Sequence, residues 1–370
     1  MRRSTLAAAF VTLGLIVSAC SGDDSDQAAG EEDVAEAADE GSADEDEEPA
    51  GDPAEEPEEE PEYETEELII GLVAPNQVYS AVFVAVDQGW FADEGFDADV
   101  VMTQSSTASV QQAAAGSVHF AGGTPDAAVF GIEEGAPVTI VSSAIQGSPL
   151  SVVARSDVTD WEDLRGETIG VSALKGGEIA LLRRLLEENG LSEGDYDVIV
   201  SGATPAKAAA LAEGSVAAAV LFSPSDYALQ EEGFTILGST AELPLADQLP
   251  LIVYFLNNDW AQENDRADRI ARVLVRANQW LQDPANRDEA VEIFSGVSDQ
   301  APEHVAATFE LWFDEFGIGT PDGGIVPEEI QNTIDMMAAD GDLSEPLPDP
   351  ATFIDPSYIE DAAGELGVTN

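Results

Sequence analysis

The sequence predicts an α/β protein of two lobes with a cleft between them. Short apolar runs alternate with segments of helical pattern, which is typical of parallel strands covered by helices on both faces. Two further apolar runs, Gln146–Arg155 and Pro250–Leu256, enclose a self-contained series of strand and helix signals. We therefore expect the chain to leave the first lobe through one run and to return through the other, so that two crossings form a hinge.

The first lobe is predicted to begin with a buried strand at Leu68–Ala74, followed by a loop and a helix that ends at Gly89. Glycine suits a helix C-terminus because it adopts a left-handed backbone at little cost. The segments at 104–107 and 122–126 have the composition of helix N-termini. The remaining strands of this lobe are predicted at 97–103, 119–121 and 138–143.

The second lobe repeats the alternation. A helical turn from Asp160 leads to a strand that ends at Val171, and a loop at Ser172–Glu178 opens a helix that runs to Gly190. Further strands are predicted at 197–200 and 216–222, and each is followed by a helix. After the return crossing, the chain is predicted to be mainly helical to about residue 366.

The N-terminus has the three parts of an export signal. Arg2 and Arg3 precede an apolar core, residues 6–17, which is too short to span a membrane. Residues 17–20, Val-Ser-Ala-Cys, resemble the lipobox of bacterial lipoproteins, in which the cysteine is acylated and becomes the mature N-terminus. Cys20 is the one cysteine of the chain, so no intrachain disulfide can form. A plain secretory signal is the alternative, and the arginine pair leaves twin-arginine export open.

Acidic side chains dominate the segment that follows. Residues 21–67 contain 24 acidic and no basic residues and hardly any aliphatic or aromatic ones. Such a segment cannot bury enough apolar surface to offset the entropy of ordering, so we interpret it as a disordered linker. Residues 68–370 contain 11 basic and 50 acidic residues, and this excess argues against nucleic acid and anionic lipid headgroups as partners.

These observations divide the chain into five segments. They are a signal peptide at 1–20, a linker at 21–67, the first part of lobe 1 at 68–153, lobe 2 at 154–250, and the second part of lobe 1 with C-terminal helices at 251–370.

Three motifs resemble those of one protein family. Residues 88–96 are similar to its G-[YWF]-F-x-x-x-G-[LF] segment, and residues 163–171 are similar to D-L-K-G-K-x-[IV]-G-V. Residues 115–121 are similar to A-G-x-x-D-F-A, with His119 where the family usually has Asp. In this order, the motifs resemble the solute-binding proteins of ABC importers for nitrate, sulfonates, taurine and thiamine-pyrimidine precursors.

The resemblance implies a type II periplasmic-binding-protein fold, with a cleft that closes on a small solute. It also implies delivery of that solute to an ABC permease with a cytoplasmic ATPase. With the lipobox, it implies an exported protein, anchored by lipid on Cys20 at the outer face of the cytoplasmic membrane. We expect a monomer with no enzyme activity and no cofactor. The alternatives are a receptor for a signalling system, an extracellular enzyme on this scaffold, or a structural surface protein.

The ligand is expected beyond the carboxyl ends of the strands, where helix N-termini favour anions. The candidate residues share a position in the polar loops at this edge and are Asn76, Gln77, Tyr79, Ser105, Ser106, Thr124, Gln146, Lys175, Gly176, Thr204, Asp226 and Tyr227. Helix capping is the alternative for the hydroxyl residues, and core packing is the alternative for the tyrosines. Lys175 opens a helix, where a cation opposes the dipole, so we expect it to contact a ligand or to form an ion pair.

The sequence offers little support for catalysis. His119 and His304 are the only histidines, and both are expected to be structural. The chain has no Cys/His metal spacing, no GxxxxGK phosphate loop and no G-x-S-x-G elbow. For the ligand, the helix N-termini and Lys175 favour a small anion such as a sulfonate, whereas Asp226 and the tyrosines leave room for an amine or a flat heterocycle.

Overall fold

The computed structural model describes residues 64–147, 149–244, 248–317, 319 and 322–368. The predicted signal peptide, its Cys20 and the linker up to residue 63 lie outside the described residues. Within the described part, no helix is both long enough and apolar enough to cross a membrane.

The first of two five-stranded sheets combines strands from the beginning and the middle of the described chain. Its strands are β1 (Glu66–Leu72), β2 (Phe96–Met102), β3 (Phe120–Gly123), β4 (Val138–Gln146) and β10 (Pro250–Asn257). Their order across the sheet is β2-β1-β3-β10-β4. Strand β1 pairs in parallel with β2 and β3, whereas β10 pairs antiparallel with β3 and β4.

The second sheet has the same arrangement. Its strands are β5 (Leu150–Ala154), β6 (Thr168–Val171), β7 (Asp197–Val200), β8 (Ala218–Phe222) and β9 (Thr235–Ser239). Their order is β7-β6-β8-β5-β9. Strand β6 pairs in parallel with β7 and β8, and β5 is antiparallel to β8 and β9. Each sheet with its flanking helices is one lobe of the protein.

The helices connect the strands and close the chain. Their bounds are α1 Ser80–Asp87, α2 Trp90–Asp93, α3 Ser106–Ala114, α4 Pro125–Glu133, α5 Gly177–Glu188, α6 Thr204–Ala212, α7 Ser225–Glu231, α8 Asn258–Ala261, α9 Arg266–Gln282, α10 Arg287–Ser298, α11 Pro302–Phe309, α12 Pro327–Ala339 and α13 Ser357–Glu365.

The expectation of purely parallel sheets was wrong, because each sheet contains one reversed strand. The carboxyl ends of β1 to β4 lie at one edge of the first sheet, and the chain leaves that edge after Gln146. Strand β5 therefore enters the second sheet at its facing edge and runs away from it, and β10 enters the first sheet in the same way. Strand β9, which precedes the return crossing, was not predicted at all.

Helix α9 binds the first sheet through a row of arginines. Arg266 and Arg269 both donate hydrogen bonds to the carboxylate of Glu66, the first residue of β1. The Arg269 side chain is fully buried, and it also donates to the Glu94 carbonyl oxygen at 2.8 Å and stacks over the ring of Phe96. Guanidinium groups in such fork-like contacts form the stronger class of ion pair.

This arginine contact explains why β1 begins two residues before the predicted start at Leu68. Glu66 and Glu67 were assigned to the acidic linker on composition alone. Glu66 continues the strand because the charge on its carboxylate is compensated by two arginines distant in sequence.

We predict that Glu66→Gln destabilises the fold in a pH-dependent way. Burial raises the pKa of Glu66, but hydrogen bonds from Arg269 and Arg266 outweigh it and hold that pKa below the ordinary value. Such a carboxylate stabilises the fold above its unfolded-state pKa, and this contribution is lost as the pH falls through the folded-state pKa. Urea unfolding at neutral pH should show a loss of about 3 kcal/mol, which shrinks in acid.

Glu263→Gln is the matched control, because its exposed carboxylate pairs with the same Arg266 at 3.0 Å. An exposed pair contributes about 0–1 kcal/mol. Equal losses in the two variants, or a loss in Glu66→Gln that does not change with pH, would contradict this account.

Candidate functional site

A cavity of about 670 Å³ lies between the two sheets, at the carboxyl ends of their parallel strands. Lobe 1 contributes the residues that follow β1, β2 and β3, and lobe 2 contributes those that follow β6 and β7. The first residues of β5 and β10, Leu150 and Pro250, also line it. The two crossings therefore form one wall of the cavity, as a hinge at the back of a cleft would.

Seven of the twelve predicted residues line this cavity. They are Asn76, Tyr79, Ser105, Ser106, Thr124, Lys175 and Thr204. The rule that ligand-binding loops follow the carboxyl ends of strands thus selected residues from both lobes that lie around one cavity.

Two of these hydroxyl residues also hold the local backbone. Ser105 caps α3 by accepting a hydrogen bond from the Ala108 N–H at 3.1 Å. Ser106 accepts one from the Thr124 N–H, also at 3.1 Å, and so ties the loop after β2 to the loop after β3. Capping, the alternative in the sequence analysis, is present for Ser105.

Gln77 and Gln146 do not line the cavity. The Gln77 side chain is fully buried and donates to the Val305 carbonyl oxygen at 3.2 Å. The Gln146 amide donates to the Glu329 carboxylate at 2.7 Å, and so joins the end of β4 to α12.

The structure also places Asp226 and Tyr227 away from the cavity lining. The buried Asp226 carboxylate accepts hydrogen bonds from Ser151 Oγ at 2.5 Å and Ser223 Oγ at 2.8 Å, which hold α7 against the second sheet. Tyr227 is half-buried, and burial raises its pKa to about 12.

Lys175 lies at the cavity edge, but its ammonium group is engaged elsewhere. It is largely exposed and pairs at 2.7 Å with Asp342, a residue just beyond α12. Of the two roles expected for Lys175, the ion pair is the one present. Because α12 packs on α4 of lobe 1, this pair links the two lobes.

A second lysine beneath the cavity was missed by the sequence analysis. Lys207 on α6 is completely buried and pairs with Glu178 at 2.6 Å, and it donates to Ser172 Oγ at 3.0 Å. Glu178 also accepts the backbone N–H of Ser172 at 2.6 Å, so this network fixes the loop after β6. Charged groups are retained at such depth only when they are paired.

Asp126, the second residue of α4, was also missed. It lines the cavity and is more than nine-tenths buried. Burial raises its pKa, against the opposing effect of the Thr124 hydroxyl and the Gly177 backbone N–H, which both lie beside the carboxylate. Within the described residues, Asp126 Oδ1 has no hydrogen-bond partner.

Gly176 does not line the cavity, but it allows the Asp126 carboxylate to lie close to the backbone. Its φ of +99° lies in the left-handed region that favours glycine, and a methyl group there would overlap the Asp126 carboxylate. Asp126 of lobe 1 therefore rests directly on the first turn of α5 in lobe 2. The sequence signal was present in the loop at 122–126, where the expectation selected Thr124.

Apolar and aromatic side chains complete the lining. Tyr79, Phe130 and Phe222 approach from three elements, and Ile252 and Met336 lie on β10 and α12. Burial raises the pKa of the Tyr79 hydroxyl far above its usual range, so this side chain is neutral. A mainly apolar cavity of this size is typical of sites for small organic ligands.

The two histidines lie outside the cavity lining. His119 stacks on Trp260 with ring centroids 4.9 Å apart, and its Nδ1 accepts the backbone N–H of Ile69 at 3.0 Å. His304 on α11 approaches Glu231 on α7 at 3.1 Å. No group of His, Cys, Asp or Glu among the described residues is suited to hold a metal ion.

The sequence matches the model of a known protein family over residues 76–287, which is more than half of the chain. That family is described as NMT1/THI5 like. The chain belongs to this family. The matched range runs from the loop after β1 to the start of α10 and so includes the cavity-lining loops of both lobes.

Two relatives of this NMT1/THI5-like chain are named as binding proteins. One is the formylaminopyrimidine-binding protein of Halalkalibacterium halodurans, 31% identical over 128 residues, which covers 34% of this chain and 37% of the relative. The other is the riboflavin-binding protein RibY of Chloroflexus aurantiacus, 28% identical over 295 residues, which covers 74% of this chain and 80% of the relative.

The fold is also that of solved periplasmic proteins. The nitrate-binding protein NrtA of Synechocystis superposes with a TM-score of 0.71 at 14% identity, which covers 83% of this chain and 90% of NrtA. The expected type II periplasmic-binding-protein fold and the expected family are thereby confirmed.

We predict that the two lysines of the cleft differ in their contribution to stability. Lys207→Met should lower the free energy of unfolding by about 3–5 kcal/mol, because it leaves Glu178 partly buried without its partner. Lys175→Met should cost less than this, because Lys175 itself is 72% exposed, although its partner Asp342 is only 8% exposed. Urea titration of both variants measures the difference. Similar losses in both would show that burial of the pair is not decisive.

Proposed function

We propose that this NMT1/THI5-like protein is the extracytoplasmic solute-binding component of an ABC importer. It captures a small organic solute in the cleft and presents it to a permease with a cytoplasmic ATPase. The observation that carries the proposal is the cavity of about 670 Å³, enclosed by loops from both lobes and closed at the back by the two crossings.

The contacts across the cleft support a function based on closure. Besides the crossings, the lobes meet where α12 packs on α5 and α11 packs on α7. The polar contacts across the cleft include the Lys175–Asp342 pair, the His304–Glu231 approach, and Asp126 against Gly176. The Lys175 and Glu231 side chains are largely exposed, so water already reaches one partner of each of these two pairs. A solute that contacts both lobes would then shift the equilibrium towards the closed form.

The size and lining of the cavity favour an organic solute over a small inorganic ion. Pockets for such ligands typically have volumes of about 300–1,000 Å³ and mainly apolar walls. The named ligands of the two relatives, a formylaminopyrimidine and riboflavin, are compounds of this type. By contrast, a nitrate ion, the named ligand of NrtA, would leave most of this cavity to water.

We predict that an organic solute of this type stabilises the protein. A thermal-shift screen of the full-length protein in high salt should include riboflavin, aminopyrimidines, alkanesulfonates, taurine and nitrate. A ligand at 100 times its dissociation constant stabilises the folded state by about 2.7 kcal/mol, which raises the unfolding temperature by several degrees. Deletion of the gene should then reduce cellular uptake of the same compound.

The results of the binding screen and of the uptake measurement distinguish an importer component from the alternative functions. Binding without any loss of uptake would favour a receptor for a signalling system. Chemical conversion of the bound compound would favour an enzyme. A complete lack of binding, both in the screen and for co-purified molecules in native mass spectrometry, would refute solute capture.

For the location of the protein, we propose lipid anchoring at the outer face of the cytoplasmic membrane through Cys20, with the acidic segment as a tether. We predict that Cys20→Ser releases the protein from the membrane fraction, because an acyl chain supplies the attachment. Immunoblots of fractionated cells measure this, with Ser21→Ala as the neighbouring control. Retention of the Cys20→Ser protein at the membrane would contradict lipid anchoring.

A further inference from the structure

The charged residues that line the cavity differ in whether they already have a partner. Among the residues that the structure describes, they are Asp126, Glu134, Lys175 and Glu178. Lys175 is bound to Asp342, and Glu178 is bound to Lys207. Glu134 is exposed to solvent at the end of α4. Asp126 alone combines deep burial with an oxygen, Oδ1, that has no hydrogen-bond partner in the described part of the chain.

The position of Asp126 changes the electrostatics of the site. Helix N-termini normally attract anions through their free N–H groups and the helix dipole. Asp126 is in the first turn of α4, and its carboxylate also lies beside the Gly177 N–H in the first turn of α5. A protein carboxylate therefore occupies the place that a ligand anion would take at these two helices.

No cation among the described lining residues compensates for this carboxylate. The ammonium of Lys175 points to Asp342, and Lys207 lies beneath the lining with its ammonium on Glu178. A ligand anion beside Asp126 would meet a like charge at short range in a poorly solvated cavity, where repulsion is stronger than in water.

A ligand that donates hydrogen bonds would instead be attracted to the Asp126 carboxylate. A buried carboxylate oxygen without a partner carries a free-energy penalty, which an N–H donor removes. If the donor is positively charged, the hydrogen bond is of the stronger, charge-assisted kind. The aromatic rings of Phe130 and Phe222 in the same lining suit a flat apolar body attached to that donor.

We propose that Asp126 sets the specificity of the cleft, so that it selects solutes with a neutral or cationic nitrogen donor on a flat apolar body and rejects anions. The inference rests on the proposed function, because it names the chemistry of the solute captured there. It excludes sulfonates, carboxylates and nitrate as the physiological cargo, and it assigns a specific contact to a residue of α4.

The test uses two probes with the same ring and different charge, 2-aminoquinoline and quinoline-2-carboxylate. Isothermal titration calorimetry of the full-length protein should show binding of the amine that is at least about tenfold tighter than binding of the carboxylate. Asp126→Asn keeps the size of the side chain but replaces the carboxylate by an amide. This variant should lose most of the tenfold preference.

Two further variants make the result specific. Glu133→Gln removes the same charge from an exposed position of the same helix, so it controls for the general negative field of the protein. Its preference for the amine should equal that of the wild type. Asp126→Ser is the second substitution at the site, in case the asparagine variant does not fold, and it should lose the preference as well.

Three results would overturn the inference. They are equal or tighter binding of the carboxylate by the wild type, a preference for the amine that persists in the folded Asp126 variants, and no binding of either probe at millimolar concentration. Solute capture itself could survive each of these results, because an anionic compound that stabilises the protein in the thermal-shift screen would still support the proposed function. Loss of all binding in that screen would instead refute solute capture.

Discussion

The scarcity of positive charge constrains this structure more than any other feature. Residues 68–370 contain 11 lysines and arginines against 50 acids, and ten of the 11 form ion pairs among the described residues. The exception, Arg184, does not line the cavity. Some of these cations pair with carboxylates that are largely withdrawn from water, as at Glu66 and Glu178, whereas others pair with exposed carboxylates such as Asp157. The described part of the cleft lining then contains no lysine or arginine without a partner, and the role proposed for Asp126 depends on this.

The sequence predicted the alternation of strands and helices, the two crossings and most strand positions to within a few residues. It did not predict the reversed strands β5 and β10, because periodicity reports which face of a strand is buried but not its direction. Direction follows from topology, since a strand that arrives from the other lobe must enter at the edge facing the cleft. The start of β1 at Glu66 was not predicted either, because the arginines that bind Glu66 lie on α9, about two hundred residues away in the sequence.

The candidate site was predicted at the level of loops, and less well at the level of side chains. The loops after β1, β2, β3 and β6 do line the cavity. The expectation named Thr124 but not its neighbour Asp126, and it named Lys175 but not Lys207 on α6, since charged residues are rarely buried and single positions within helices gave no signal of burial. The burial of Asp126 and Lys207 depends on contacts between distant elements, and a single sequence does not display these.

The contact between Glu66 and α9 has a mechanical consequence. Glu66 is at the amino end of β1, the end away from the cleft, and residue 64 is the first described residue before it. Tension applied through the preceding segment would therefore reach the body of lobe 1 through the arginines of α9 and the neighbours of β1. The two crossings are not on that route. A pull on residue 64 would thus load lobe 1 alone, and it would not act on the crossings that join the two lobes.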